Sequence, residues 1–116
     1  MDTFYIKQGD LWPPLVAYLK QANGEPIPLQ QGDIVEIVIT PRNKRREETV
    51  SNNVDIIDYD LAHVKYEWQQ GDTDIAGQYQ AEFIVTFAET QPVKIPNNGY
   101  FNIIIDHKLG EERSGV

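Results

Sequence analysis

The chain has 116 residues, no cysteine and a formal net charge of −8, with 41% hydrophobic and 24% charged residues. This length fits one domain, the composition is globular rather than disordered, and the lack of thiols excludes disulfides and thiolate metal sites. The negative charge favours solubility and opposes binding to DNA, RNA or an anionic membrane surface, so neither nucleic acid nor membrane is expected as a partner.

The N-terminal residues Met1-Asp2-Thr3-Phe4-Tyr5-Ile6-Lys7 lack the basic segment and apolar run of a signal peptide. Apolar runs such as Ile103-Ile104-Ile105 fall far short of the roughly 20 residues of a membrane-spanning helix. The spacing predicts strands over 4–8 and 15–20, separated by Pro13-Pro14, which interrupts pairing. Asn23-Gly24 is a hairpin-type turn. After Gln31-Gly32-Asp33, Val35, Ile37 and Ile39 alternate with Ile34, Glu36, Val38 and Thr40. The second set is partly apolar, which predicts a strand covered on both faces. Arg42, Lys44, Arg45 and Arg46 are followed at once by Glu47 and Glu48, the pattern of a solvated loop rather than a nucleic-acid site.

Another strand is expected from Val54 to Tyr59. Val64, Tyr66 and Trp68 then alternate with Lys65, Glu67 and Gln69, giving a half-buried strand with Trp68 facing inward. Gln70-Gly71-Asp72 ends it. The longest alternation, Tyr79, Ala81, Phe83, Val85 and Phe87, predicts a central strand. Pro96-Asn97-Asn98-Gly99 precedes a last strand through Phe101, Ile103 and Ile105, and the end of the chain from about 110 to 116 is expected to fray. Helical periodicity is absent. About seven or eight short strands with regular turns indicate an all-β sandwich or barrel formed by the single domain 1–116.

The stretch from Asp72 to Ala81 narrows this further. An acidic turn with Asp74 leads through Ala76-Gly77 to Tyr79 and into the longest strand. In immunoglobulin-like sandwiches a Tyr at this corner sends its hydroxyl back to upstream backbone, and antibody domains carry a Cys two residues later. Ala81 occupies that later position, so packing replaces a disulfide. Gly77 suits a close approach of backbones. The competing reading makes Tyr79 an ordinary aromatic core residue; both readings are structural.

A wider pattern follows the same order: Ile6-Lys7-Gln8-Gly9-Asp10 with Pro13-Pro14-Leu15; Ala22-Asn23-Gly24-Glu25-Pro26-Ile27-Pro28-Leu29; Val64 to Gln69 running into Gly71-Asp72-Thr73-Asp74 and Ala76 to Phe83; and Pro96-Asn97-Asn98-Gly99-Tyr100. It resembles the N-terminal immunoglobulin-like domain of phage baseplate upper proteins, over nearly the whole chain. The resemblance implies an immunoglobulin-like antiparallel β-sandwich that docks on a phage tail, while later regions carry host-recognition parts. It also implies a virion location after synthesis in the bacterial cytoplasm, with other tail or baseplate proteins as partners and a homo-oligomer as an option. No stalk or receptor-binding head follows the domain here, so the chain reads either as a fragment or as a free-standing relative.

Catalytic chemistry finds little support. The two histidines, His63 and His107, have no nucleophile beside them. Asp55, Asp58 and Asp60 form one acidic cluster, and Asp72 with Asp74 a second. Calcium takes about six to eight oxygen ligands, whereas Asp in turns commonly caps backbone amides. A non-enzymatic module without cofactor or metal is therefore expected. Trp12, Tyr18, Tyr59 and Tyr100 are candidates for exposure, with Trp12, Tyr18 and Tyr100 taken as possible interface residues. Trp12 is either a packed lid or an exposed contact. A carbohydrate- or cell-surface-binding module is the alternative function, because aromatic platforms on sandwich loops suit such ligands.

Overall fold

The structure, a computed structural model, describes residues 3–42, 50–88, 92–95 and 101–107. Its nine strands are β1 Thr3–Lys7, β2 Leu15–Tyr18, β3 Ile34–Pro41, β4 Val50–Asn53, β5 Asp55–Asp58, β6 His63–Tyr66, β7 Gly77–Thr86, β8 Val93–Ile95 and β9 Phe101–Asp106. The described residues contain no helix. Six strands form one sheet in the order β1-β9-β7-β3-β4, with β8 also on β7, and β2-β6-β5 form the second.

β7 organises the larger sheet because it has the longest period-two pattern. Tyr79, Ala81, Phe83 and Val85 are buried, while Gln80, Glu82 and Ile84 lie on the half-buried outer face. β3 pairs along its length, from Ile34 opposite Thr86 to Pro41 opposite Tyr79. On the other side β9 covers Gly77–Ala81 and β8 covers Phe83–Val85. The inner row Val35, Ile37 and Ile39 is at most 2% exposed. One buried cluster joins this row to Leu15, Val64, Tyr66 and Trp68 of the β2–β6 side, so the two sheets share a core. Burying such side chains contributes about 1.5–3 kcal/mol each.

Several expectations are corrected. There are nine strands among the described residues rather than seven or eight, and pairing is not wholly antiparallel: β1 runs parallel to β9, from Thr3 opposite Asn102 to Lys7 opposite Asp106. The strand expected over 54–59 is β5, and a strand not expected from sequence, β4, precedes it in the other sheet. β4 pairs with β3 and β5 with β6, and the chain crosses at Val54, whose N–H donates to the Val35 carbonyl at 2.9 Å. The outer face of β3 is only partly covered. Ile34 is 50% exposed, and Val38 is shaded by its register neighbours Ser51 and Glu82. Strand neighbours on one face screen each other without a third layer.

The chain also changes sheets between β1 and β2. Gln8 N–H extends the first ladder to the Asp106 carbonyl at 2.7 Å, and the segment through Pro13-Pro14 then carries the chain to β6. Proline supplies no ladder donor, which separates the two pairings. Of the basic run, Arg42 is exposed, while Lys44, Arg45 and Arg46 lie outside the described residues, as do Pro96 to Tyr100 and residues 110–116.

Candidate interaction surface

The corner residues run from the turn before β7 into its first half. Tyr79 is 4% exposed, and its hydroxyl donates to the Ile75 carbonyl at 2.6 Å, four residues upstream. Ala81 is buried between its register partners Ile39 and Phe101. Asp74 is exposed; its carbonyl accepts Gln8 Nε2 at 2.8 Å, so its backbone rather than its carboxylate ties the corner to the β1–β2 segment. Gly77 has φ +155°, and an added Cβ would meet Tyr79 Cε1 only at 3.8 Å. The backbone angle, not the crowding expected from sequence, favours glycine there. Tyr79→Phe should cost about 0.5–1.5 kcal/mol, read as a lower urea midpoint at unchanged slope. An unchanged midpoint would show that the hydroxyl contributes nothing.

A second tie joins the turn before β7 to the β1–β2 segment. Thr73 is fully buried, its hydroxyl donates to the Asp10 carbonyl at 2.9 Å, and its own carbonyl accepts Gly9 N–H at 3.0 Å. Trp68 Nε1–H donates to the Pro13 carbonyl at 3.1 Å. The loops before β2 and before β7 are thus bonded to each other.

Between them lies a buried tyrosine that sequence reasoning treated only as core. The Tyr66 hydroxyl donates to Asp72 Oδ2 and accepts Asn52 Nδ2–H at 2.9 Å, while Gln69 N–H donates to the same Asp72 oxygen at 2.9 Å. The chain-reversal signal Gln70-Gly71-Asp72 was the available clue, since a reversal there returns Asp72 toward the end of β6. Burial, reinforced by the hydrogen bond to Asp72, pushes the Tyr66 phenol well above its usual pKa. The folded state therefore holds this proton after the unfolded chain has released it near pH 10. The stability from this group is complete below that pH and is lost as pH rises toward the folded pKa. Stability of the parent should fall more steeply above pH 10 than that of Tyr66→Phe, measured by urea denaturation across pH 9–11; parallel curves would contradict the assignment.

The exposed aromatics occupy different surfaces. Trp12 is 76% exposed in the β1–β2 loop, so it is not a packed lid. Tyr18 is 52% exposed on the outer face of the smaller sheet and stacks on its register partner His63, with centroids 4.3 Å apart. Tyr5, not singled out from sequence, is 61% exposed on the outer face of the larger sheet. Tyr59 is at the turn after β5, and Tyr100 lies outside the described residues. Period-two alternation marked Tyr5 as outward, because its neighbours Phe4 and Ile6 face the core.

Among the described residues, nothing pairs with the side of β2 that faces away from β6. A cleft of about 440 Å³ runs beside β2, with Phe4, Phe83 and Phe101 from the larger sheet in its wall.

Acidic side chains serve turns. Asp58 Oδ1 accepts Leu61 N–H at 3.1 Å, and Asp33 accepts Gln30 N–H at 2.8 Å through Oδ2 and Ala88 N–H at 3.2 Å through Oδ1. The described residues contain no group of three or more His, Cys, Asp or Glu side chains placed to hold a metal ion. A scan against family descriptions matches none, and a search of curated proteins finds no similar one.

Proposed function

We propose that this chain is an immunoglobulin-like, non-enzymatic module of a bacteriophage or prophage tail or baseplate, where it mediates assembly or attachment of host-recognition parts. The observation that carries this reading is an exposed tryptophan beside an unpaired strand edge. Trp12, 76% exposed, stands on the loop leading to β2, one edge of which is unpaired among the described residues. An exposed Trp is a typical anchor of protein interfaces, and an open edge is a typical assembly element. The immunoglobulin-like assignment is supported by the Tyr79 hydroxyl on the Ile75 carbonyl and by the parallel pairing of first and last strands. The tail assignment draws on the ordered resemblance from Ile6 to Tyr100. Mixing the chain with tail proteins encoded beside it should give a complex by light scattering, weakened by Trp12→Ala. No complex with any of them would remove the tail reading.

A carbohydrate-binding role is the second reading. Its support is a shallow hollow of about 210 Å³ on the outer face of the larger sheet, where Tyr5 neighbours Arg42, Gln78 and Asn102. An aromatic face beside amide and guanidinium donors suits a sugar ring. A silent glycan array would dismiss it.

A further inference from the structure

We propose that the edge of β2 facing away from β6, unpaired among the described residues, accepts an extended segment of a partner protein as an added strand, with apolar residues at alternate positions and a carboxylate where the cleft meets Lys20. The bonding pattern defines which groups are available. Leu19 N–H donates to the Ala62 carbonyl at 2.9 Å, in the register that sets Ala17 opposite Val64 and Leu15 opposite Tyr66. Those are the hydrogen-bonded pairs of the antiparallel ladder, so the N–H and C=O groups of Val16 and Tyr18 point away from β6. Strand edges are ordinarily guarded by a charge, a proline or a bulge. Leu15-Val16-Ala17-Tyr18 contains none of these; the guards are confined to its ends, where Pro14 precedes it and Lys20 follows.

The cleft wall specifies the occupant. An added strand would lay alternate side chains over Phe4 and Phe101 and expose the others beside Val16 and Tyr18. Lys20 is the one charged residue in the described lining, within a chain of 18 acidic and 10 basic residues. A carboxylate on the entering strand complements it. A second copy fits less well. Pairing β2 with itself about Ala17 sets Lys20 opposite Pro14 of the other copy, which offers neither an N–H nor a carboxylate. This inference rests on the edge geometry and stands apart from the tail assignment.

The test is selection of displayed random dodecapeptides on the full chain, followed by affinity measurements on the winners. The expected winners alternate apolar with polar residues and carry Asp or Glu near one end. They should bind at least tenfold more weakly to Val16→Pro, which removes an edge donor that β6 does not use. Binding should also fall tenfold in Lys20→Glu, a variant that leaves the backbone intact, and recover when the peptide's acid is changed to Lys. Failure to select any binder would overturn the proposal, as would winners that bind Val16→Pro as tightly as the parent. Concentration-dependent dimers dissolved by Val16→Pro would overturn it in favour of a second copy.

Discussion

Phe83→Ala is expected to remove about 3–5 kcal/mol of folding stability, a large part of the roughly 5–15 kcal/mol that holds a domain together. Phe83 is fully buried midway along β7, flanked by Ile37 on β3 and Ile95 on β8. Its ring meets Phe101 edge-on, with centroids 5.6 Å apart and planes at 79°. Truncation loses the transfer energy of the ring and leaves a void between strands already pinned by their ladders, so collapse can recover little. Ile37→Val in the facing row should cost only about 0.5–1.5 kcal/mol, because it removes one methylene. Urea denaturation of both variants checks the contrast, and a Phe83→Ala loss below about 1 kcal/mol would mean that the ring is not part of a packed core.

Trp68→Ala should be comparably damaging, at about 3–5 kcal/mol, although Trp68 lies just beyond the end of β6. The indole is 4% exposed, stacks near Phe4 at 5.8 Å and meets Tyr66 edge-on at 5.4 Å. Its N–H also holds the Pro13 carbonyl, so one side chain links β1, the sheet-crossing loop and β6. A double-mutant cycle with Phe4→Leu should show about 0.5–1.5 kcal/mol of coupling between the rings. The chain has two tryptophans, so Trp12→Phe leaves Trp68 as the sole indole reporter. Its emission should begin blue-shifted and move red on unfolding. Red emission from the folded protein would contradict burial.

Strands with one fully apolar face were legible in the sequence. Val64, Tyr66 and Trp68, and Tyr79 through Val85, alternate cleanly, and all their inward members are buried. β4 and β8 were not legible. Val50-Ser51-Asn52-Asn53 is largely polar and Val93-Lys94-Ile95 is only three residues long, so neither shows a periodic pattern, and each is held by backbone groups that every residue carries. Direction was hidden too, since the alternation in Phe4 and Ile6 serves parallel and antiparallel pairing equally. Of the interaction surface, the Pro13-Pro14 neighbourhood allowed two positions for Trp12, and only tertiary placement decides between them. The edge of β2 left unpaired among the described residues depends on which strand is missing beside it, information that no local pattern contains.

The parallel register of β1 and β9 places Thr3 and Asp106 at opposite ends of one ladder. Four residue steps at about 3.3 Å set them roughly 13 Å apart along the strands. A pull applied between these two points would therefore act along the strands and in opposite senses on each. The evenly spaced bonds would be loaded together in shear instead of being peeled one at a time. Such a ladder resists until several bonds yield at once, and its lifetime under tension is governed by the unfolding rate rather than by equilibrium stability. Mechanical endurance along this axis is thus built into the pairing of the first strand with the last.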